Sequence, residues 1–209
     1  MNAGLNSSNL PIIAVVILLS MGLHESMHGF VAHWLGDPTA KEAGRLTLNP
    51  LKHVDIITTV LLPVILIAVG LPPIFAAKPV PFNPSRVKYA EFGAALIGVA
   101  GPLTNLALAV AGAGLAHLLI DANTTTWFLN VLIIFVQVNV GFFVFNMLPI
   151  PPLDGSRLLY AVAPEPVQEV MARFESLGIG AVILILVVLM PFIGPVIINL
   201  NNAVLRVLL

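Results

Sequence analysis

The chain has 209 residues, the size of one domain, and is 58% hydrophobic and 9% charged, where soluble domains run at about 45–50% and about 25%. That balance excludes an ordinary soluble globule and points to a polytopic membrane protein with 1–209 as a single domain. A formal net charge of −1 with no basic run excludes nucleic acid as a partner, and the absence of cysteine leaves only nitrogen and oxygen ligands for a metal.

Residues 1–11 lack the basic start of a cleavable signal peptide, so the apolar run 11–35 is expected to be retained. Ser8, Asn9 and Pro11 make a plausible helix start, and Gly36-Asp37-Pro38 a stop. The intervening 24 or so residues are enough to cross a bilayer. Inside this helix stands His24-Glu25-Ser26-Met27-His28, an HExxH pattern. Residues four apart on a helix lie about 40° apart around its axis, so both imidazoles project from one face and can ligate one ion. Glu25 lies about 100° round from His24, beside the ligand line, where it can act on a water. HExxH occurs by chance on soluble helices. In hydrocarbon, however, each ionisable side chain costs roughly 2.5–3.5 kcal/mol, so their presence calls for a partner or a polar cavity. Zinc, one per chain, is the first candidate, since two imidazoles, a carboxylate and an open position form a recurring catalytic site.

Residues 39–55 carry Lys41, Glu42, Arg45 and Lys52, and the alternation over 44–48 predicts a short strand at the membrane surface. The apolar stretch 56–77 is punctuated by Pro63, Gly70, Pro72 and Pro73, which suits either a span or a re-entrant hairpin. Prolines 79, 81 and 84 keep 78–84 extended. A long apolar helix over 89–119 has Gly101-Pro102 near its middle and small residues at Gly93, Ala94, Gly98, Ala107, Ala111 and Gly112, suited to close helix approach. After a polar turn, Trp127 opens a helix over 127–148 that carries Asn130, Gln137, Asn139 and Asn146 and is ended by Pro149, Pro151 and Pro152. An amphipathic connector leads to a last apolar stretch, 177–209, expected to break at 191–195 with its final third at the interface.

The expected fold is therefore an all-α polytopic membrane protein of about four transmembrane helices, with a re-entrant hairpin and short β-strands on the cytoplasmic side. Its core is 10–160 and its C-terminal helix 177–209. The loops 36–55 and 78–88 carry three basic residues each, and 154–173 carries two, whereas 120–126 has none. The positive-inside rule then puts Thr39 and Ser85 in the cytoplasm and Thr124 outside. Both basic loops share a side only if 56–77 re-enters.

Two histidines leave a metal one ligand short. Asp154 lies just past the cytoplasmic end of the 127–148 helix in a proline-broken stretch that can fold back. Asp55 competes with it, and an Asp-Gly pair also suits a plain turn. His33, five residues after His28, points about 140° away. His24-Glu25-x-x-His28, Gly101-Pro102-x-x-Asn105 and Asn146-x-x-Pro149-x-x-x-x-Asp154-Gly155 together resemble the site-2 protease family of intramembrane zinc metalloproteases, in its compact prokaryotic form without a PDZ domain. The resemblance covers about 10–160. It implies His24, His28 and Asp154 as zinc ligands, Glu25 as catalytic base, and Asn146 either near the scissile carbonyl or helping to hold the substrate. It also implies cleavage of a transmembrane protein substrate within the lipid bilayer, by a multi-pass cell-membrane enzyme whose active site faces the cytoplasm. Residues 55–58, Asp-Ile-Ile-Thr, depart from the Asp-Pro-x-Gly often found there. The stretches 46–48 and 80–82 are candidate edges for pairing with an unwound substrate. A prenyl-protein type metalloprotease would want a distant Glu ligand, for which Glu165, Glu169 and Glu175 are available without a motif. A zinc-handling transporter would string ionisable groups across several helices, and an inactive scaffold would have no use for Glu25.

Overall fold

The computed structural model describes residues 7–68, 70, 75–120, 126–177 and 179–209. In chain order its α-helices are α1 (Leu10–Trp34), α2 (Thr39–Glu42), α3 (Leu62–Ala68), α4 (Ala90–Ile120), α5 (Thr126–Asn146), α6 (Gly155–Val162), α7 (Glu165–Ser176) and α8 (Ile179–Leu208), with a π-helical turn Ile56–Leu61 leading into α3. The stretches Leu10–Trp34, Ala90–Ile120, Thr126–Asn146 and Val187–Leu208 have the length and hydropathy to cross a membrane.

Helix α1 stops where the sequence signals it. Gly36 takes a φ of 100°, and the amides of Gly36 and Asp37 return to the carbonyls of His33 and Ala32, which satisfies carbonyls left open at the helix end. The helix is inverted relative to a soluble one. Its buried residues include Ser20, His24, Ser26 and His28, whereas Val15, Leu19 and Trp34 are exposed. Such polarity suits a lipid surround, where large apolar side chains lose nothing by facing outward.

Helix α4 is the centre of the bundle and packs on α1, α5 and α6. Ala109 and Ala113 meet Val136, Val140 and Val144 of α5 in one core, which Ile197, Val204 and Leu205 of α8 cover. Gly112 permits this closeness, because a Cβ there would lie 2.9 Å from the Phe135 ring. Helix α8 runs unbroken through Pro191 and Pro195, contrary to the expected break. Prolines inside an apolar helix are tolerated where neighbouring helices and small local adjustments accommodate the freed carbonyls.

The expected β-strands are absent among the described residues. Around 44–48 the backbone groups that would pair are taken locally or by side chains: Thr47 N–H returns to the Arg45 carbonyl, while Ser26 Oγ and His53 Nε2 both donate to the Thr47 carbonyl. An alternation of five residues cannot make a ladder without a neighbouring strand.

The 78–88 segment instead forms a strap along the end of α1. Its amides reach four separate acceptors: Lys78 donates to the His53 carbonyl, Val80 to Glu25, Asn83 to Asp37 and Lys88 to the Leu35 carbonyl. Arg45 donates to the carbonyls of both Lys52 and Lys78, tying the strap to the loop after α2. Ala76 N–H lies 3.3 Å from the Thr58 carbonyl, and the Thr58 and Thr59 hydroxyls donate to the Ala76 carbonyl. Residues 69 and 71–74, the apex of the expected hairpin, lie outside the described residues.

Candidate metal centre

His24 and His28 stand one turn apart on α1 with ring centroids 4.7 Å apart and nearly perpendicular planes. Asp154, at the start of α6, reaches both. Its Oδ2 lies 3.0 Å from His24 Nε2 and 3.4 Å from His28 Nε2, and the two Nε2 atoms are 3.1 Å apart. Ligands held about 2.0–2.1 Å from one ion at tetrahedral angles lie about 3.3 Å apart, so this triangle has the right size for a metal.

The far side of each ring explains why the Nε2 atoms point inward with lone pairs. His28 Nδ1 donates to the Ile97 carbonyl at 2.7 Å, and His24 Nδ1 is 2.6 Å from Asn105 Oδ1. Each imidazole therefore keeps its proton on Nδ1 and offers Nε2 as an acceptor. Three acceptors then converge, two on buried histidines and one on the part-buried Asp154, an arrangement that calls for a cation.

Helix α4 is shaped to meet this triangle. A Cβ at Gly101 would fall 2.5 Å from His28 Nε2 and 2.6 Å from His24 Nε2, and one at Gly98 would fall 3.0 Å from the Asp154 carbonyl oxygen. The glycines, the Ile97 carbonyl and Asn105 thus form one face of α4 against the site. The Gly-Pro-x-x-Asn pattern of the sequence is this face, and its contact with both imidazoles gives the glycine its reason.

Glu25 is half-buried beside the pair, and His24, Glu25 and His28 offer ligand atoms all within 4.8 Å of one another. Its Oε2 accepts the Val80 amide at 3.1 Å. Because 79 and 81 are prolines, Val80 carries the lone N–H donor in the middle of the strap, and that donor goes to Glu25. Asn146, at the end of α5, donates to the Phe142 carbonyl of its own helix and lines a cavity of about 530 Å³ walled by Phe75, Phe142, Met190 and Pro191.

The other candidates fall away from the site. Asp55 caps the π-helical turn, accepting from the amides of Thr58 and Ile57, which hold its carboxyl below the ordinary carboxylate range. His33 is exposed. Glu175 pairs with Arg157 at 3.2 Å and Glu169 with Arg173 at 3.7 Å, while Glu165 opens α7. Sequence reasoning gave no role to Arg157. One turn past Asp154, it also stands 5.9 Å over the Phe82 ring and so joins α6, α7 and the strap.

Comparison with known proteins finds relatives named for zinc. Two relatives carry the name "Putative zinc metalloprotease": YwhC of Bacillus subtilis, 36% identical over 177 residues, and Rip2 of Mycolicibacterium smegmatis, 33% identical over 174 residues. The first match covers 82% of this chain and 78% of YwhC, the second 81% of this chain and 64% of Rip2. The chain belongs to the site-2 protease family. No family model and no solved structure matches it. With four apolar helices of spanning length among the described residues, this site-2 protease is a multi-pass membrane protein, and the transporter and scaffold alternatives are not favoured.

Proposed function

We propose that the chain is an intramembrane zinc metalloendopeptidase that hydrolyses a peptide bond within or near a transmembrane segment of its substrate. The observation that carries this reading is the triangle of His24 Nε2, His28 Nε2 and Asp154 Oδ2, three lone-pair donors at metal-ligand spacing, two on buried histidines of an apolar helix and the third on the part-buried Asp154 at the start of α6. His24, His28 and Asp154 are the zinc ligands. When bound, zinc lowers the pKa of a water toward about 7 and polarises a carbonyl.

Glu25 is the general base and then the general acid. The Val80 amide holds Oε2, which leaves Oε1 free to take a proton from the attacking water as its oxygen bonds to the scissile carbonyl carbon. The same carboxyl then gives that proton to the amide nitrogen as the C–N bond breaks, so one water is consumed and an acid and an amine form. Asn146 donates to the developing oxyanion after releasing the Phe142 carbonyl, and the apolar cavity beside it seats a neighbouring substrate side chain.

A substrate helix hides its carbonyls in its own hydrogen bonds and must unwind locally. The carbonyls of the strap around 80–82 supply acceptors for amides of the opened backbone, and the 56–77 stretch folds as a re-entrant hairpin. Support for the hairpin comes from the return of Ala76 to Thr58 and from the helical run Ile56–Ala68, which among the described residues is shorter than a span.

The test measures zinc content and cleavage of single-pass membrane peptides on the same preparations. Glu25→Gln is expected to keep zinc and lose turnover, whereas His24→Ala, His28→Ala and Asp154→Ala lose both. Full metal and activity in Asp154→Ala would remove Asp154 from the ligand set.

A further inference from the structure

Behind His24 lies a chain of buried polar groups that crosses three helices and that the reaction itself does not use. Asn105 on α4, Asn139 on α5 and Ser20 on α1 are all fully buried. Asn139 Nδ2 donates to the Phe135 carbonyl at 2.9 Å and to Ser20 Oγ at 2.9 Å. Asn105 Nδ2 donates to Asn139 Oδ1 at 2.9 Å, and Asn105 Oδ1 faces His24 Nδ1.

The direction of this chain is set by main-chain carbonyls at two places, the Phe135 carbonyl facing Asn139 and, at a longer 3.4 Å, the Ser20 carbonyl facing Asn105 Nδ2. A main-chain carbonyl can only accept, so the Phe135 carbonyl obliges Asn139 to present its NH₂ there and its Oδ1 to Asn105. Asn105 must then turn its NH₂ toward Asn139 and its Oδ1 toward His24. An acceptor at that place keeps the His24 proton on Nδ1 and the lone pair on Nε2. Were either amide reversed, an NH₂ would face the ring and favour the opposite tautomer, whose Nε2 carries a proton and cannot ligate.

We infer that Asn139 is a positioning residue for the metal centre, acting through Asn105 to lock His24 in its metal-binding tautomer. The inference rests on the reading of His24 as a zinc ligand. It gives a role to a residue that belongs to none of the motifs and touches neither metal nor substrate. Partners of this kind behind a ligating histidine typically change metal affinity 10–100-fold.

A double-mutant cycle separates this role from plain packing, because a carboxylate in place of the Asn105 amide has an acceptor oxygen on both sides and needs no neighbour to orient it. Zinc affinity of the full-length protein in detergent is measured by competition with a chromogenic chelator at fixed pH. N139L is expected to weaken zinc binding at least about 10-fold, whereas N105D sets an oxygen against Asn139 Oδ1, so N105D/N139L, which relieves that contact, is expected to bind at least as tightly as N105D. Equal losses from N139L in the wild-type and N105D backgrounds, or no loss in either, would overturn the inference. Should N139L fail to fold, N139S is read in the same cycle with the same criteria. His24→Ala is measured alongside. If that variant binds zinc as wild type does, the metal-site reading fails as well, whereas an additive cycle with metal-free His24→Ala defeats only the role of Asn139.

Discussion

At the scale of single residues, the site depends on how closely α4 approaches two anchored rings. Neither imidazole can retreat from Gly101, because each is tied by Nδ1 to a fixed acceptor. Gly101→Ala would therefore displace the Nε2 atoms, and an error of about 1 Å at a reacting centre costs on the order of 100-fold in rate. Cleavage is expected to fall by that much, with zinc content reduced in the same samples. Gly114 of the same helix has open space around a would-be Cβ, so Gly114→Ala should leave activity unchanged and raise stability by roughly 0.5–1 kcal/mol. Asn146 gives a different signature. Its side chain bonds to its own helix and to none of the three ligands, so Asn146→Ala should keep zinc while turnover drops on the order of 100-fold. An unchanged rate would assign this amide to helix packing.

Elements differ in how much of them the sequence discloses. The spanning helices were legible because length and apolar content define them with no help from partners, and their boundaries fall within two residues of expectation except at the prolines of α8. The grouping of His24, Glu25 and His28 was legible from spacing alone, since one helix supplies all three. Asp154 was less so, as its approach depends on how the chain folds after Pro149, and Asp55 competed until the structure showed it capping a turn. Asn139 and Arg157 carry no spacing signal at all, because their partners lie on other elements. The strap was misjudged for the same reason. Its extended form was legible from its prolines, but its acceptors are the side chains and loop carbonyls of α1 and its surroundings, not a neighbouring strand. Asp37 holds the far end of the strap, accepting from the Asn83 amide at 2.5 Å and from Thr39. Burial pushes the Asp37 carboxyl up, but the hydrogen bonds from the Thr39 hydroxyl and the Asn83 and Thr39 amides outweigh it and hold it below its ordinary 3.8. A depressed folded-state value means that this anchoring is fully present above 3.8 and lost only as pH falls through the lower folded value. Hydrogen exchange of peptides covering 79–83 should thus stay slow at pH about 5 and quicken well below 3.8, whereas Asp37→Ala should make it fast at both. Slow exchange in Asp37→Ala would mean that the strap is held by Glu25 and His53 without it.

For the whole molecule, the decisive question is which end of the bundle faces the cytoplasm. The end of α1, the start of α4 and the end of α5 lie together, since Lys88 bonds to Leu35 and Asp154 meets His24 and His28. At about 1.5 Å per residue, His28 and His24 lie about 9 and 15 Å from the end of α1, within the hydrocarbon yet reachable from that end. Eight of the nine Lys and Arg residues belong to the segments at this end: Lys41, Arg45, Lys52, Lys78, Arg86, Lys88, Arg157 and Arg173, with Arg206 at the far end of α8 the exception. The positive-inside rule therefore predicts a site accessible from the cytoplasm. The chain has no cysteine, so single replacements report cleanly. Lys41→Cys, Ser85→Cys and Thr126→Cys, all at exposed positions, would be expressed in intact cells and treated with a membrane-impermeant thiol reagent. Only Thr126→Cys is expected to react before lysis, and all three after it. Labelling of Ser85→Cys but not Lys41→Cys in intact cells would mean that 56–77 crosses the bilayer, which would take the strap away from Glu25 and contradict the contacts that bind it to α1. Labelling of both, with Thr126→Cys silent, would invert the molecule and place peptide-bond hydrolysis on the outer side of the membrane.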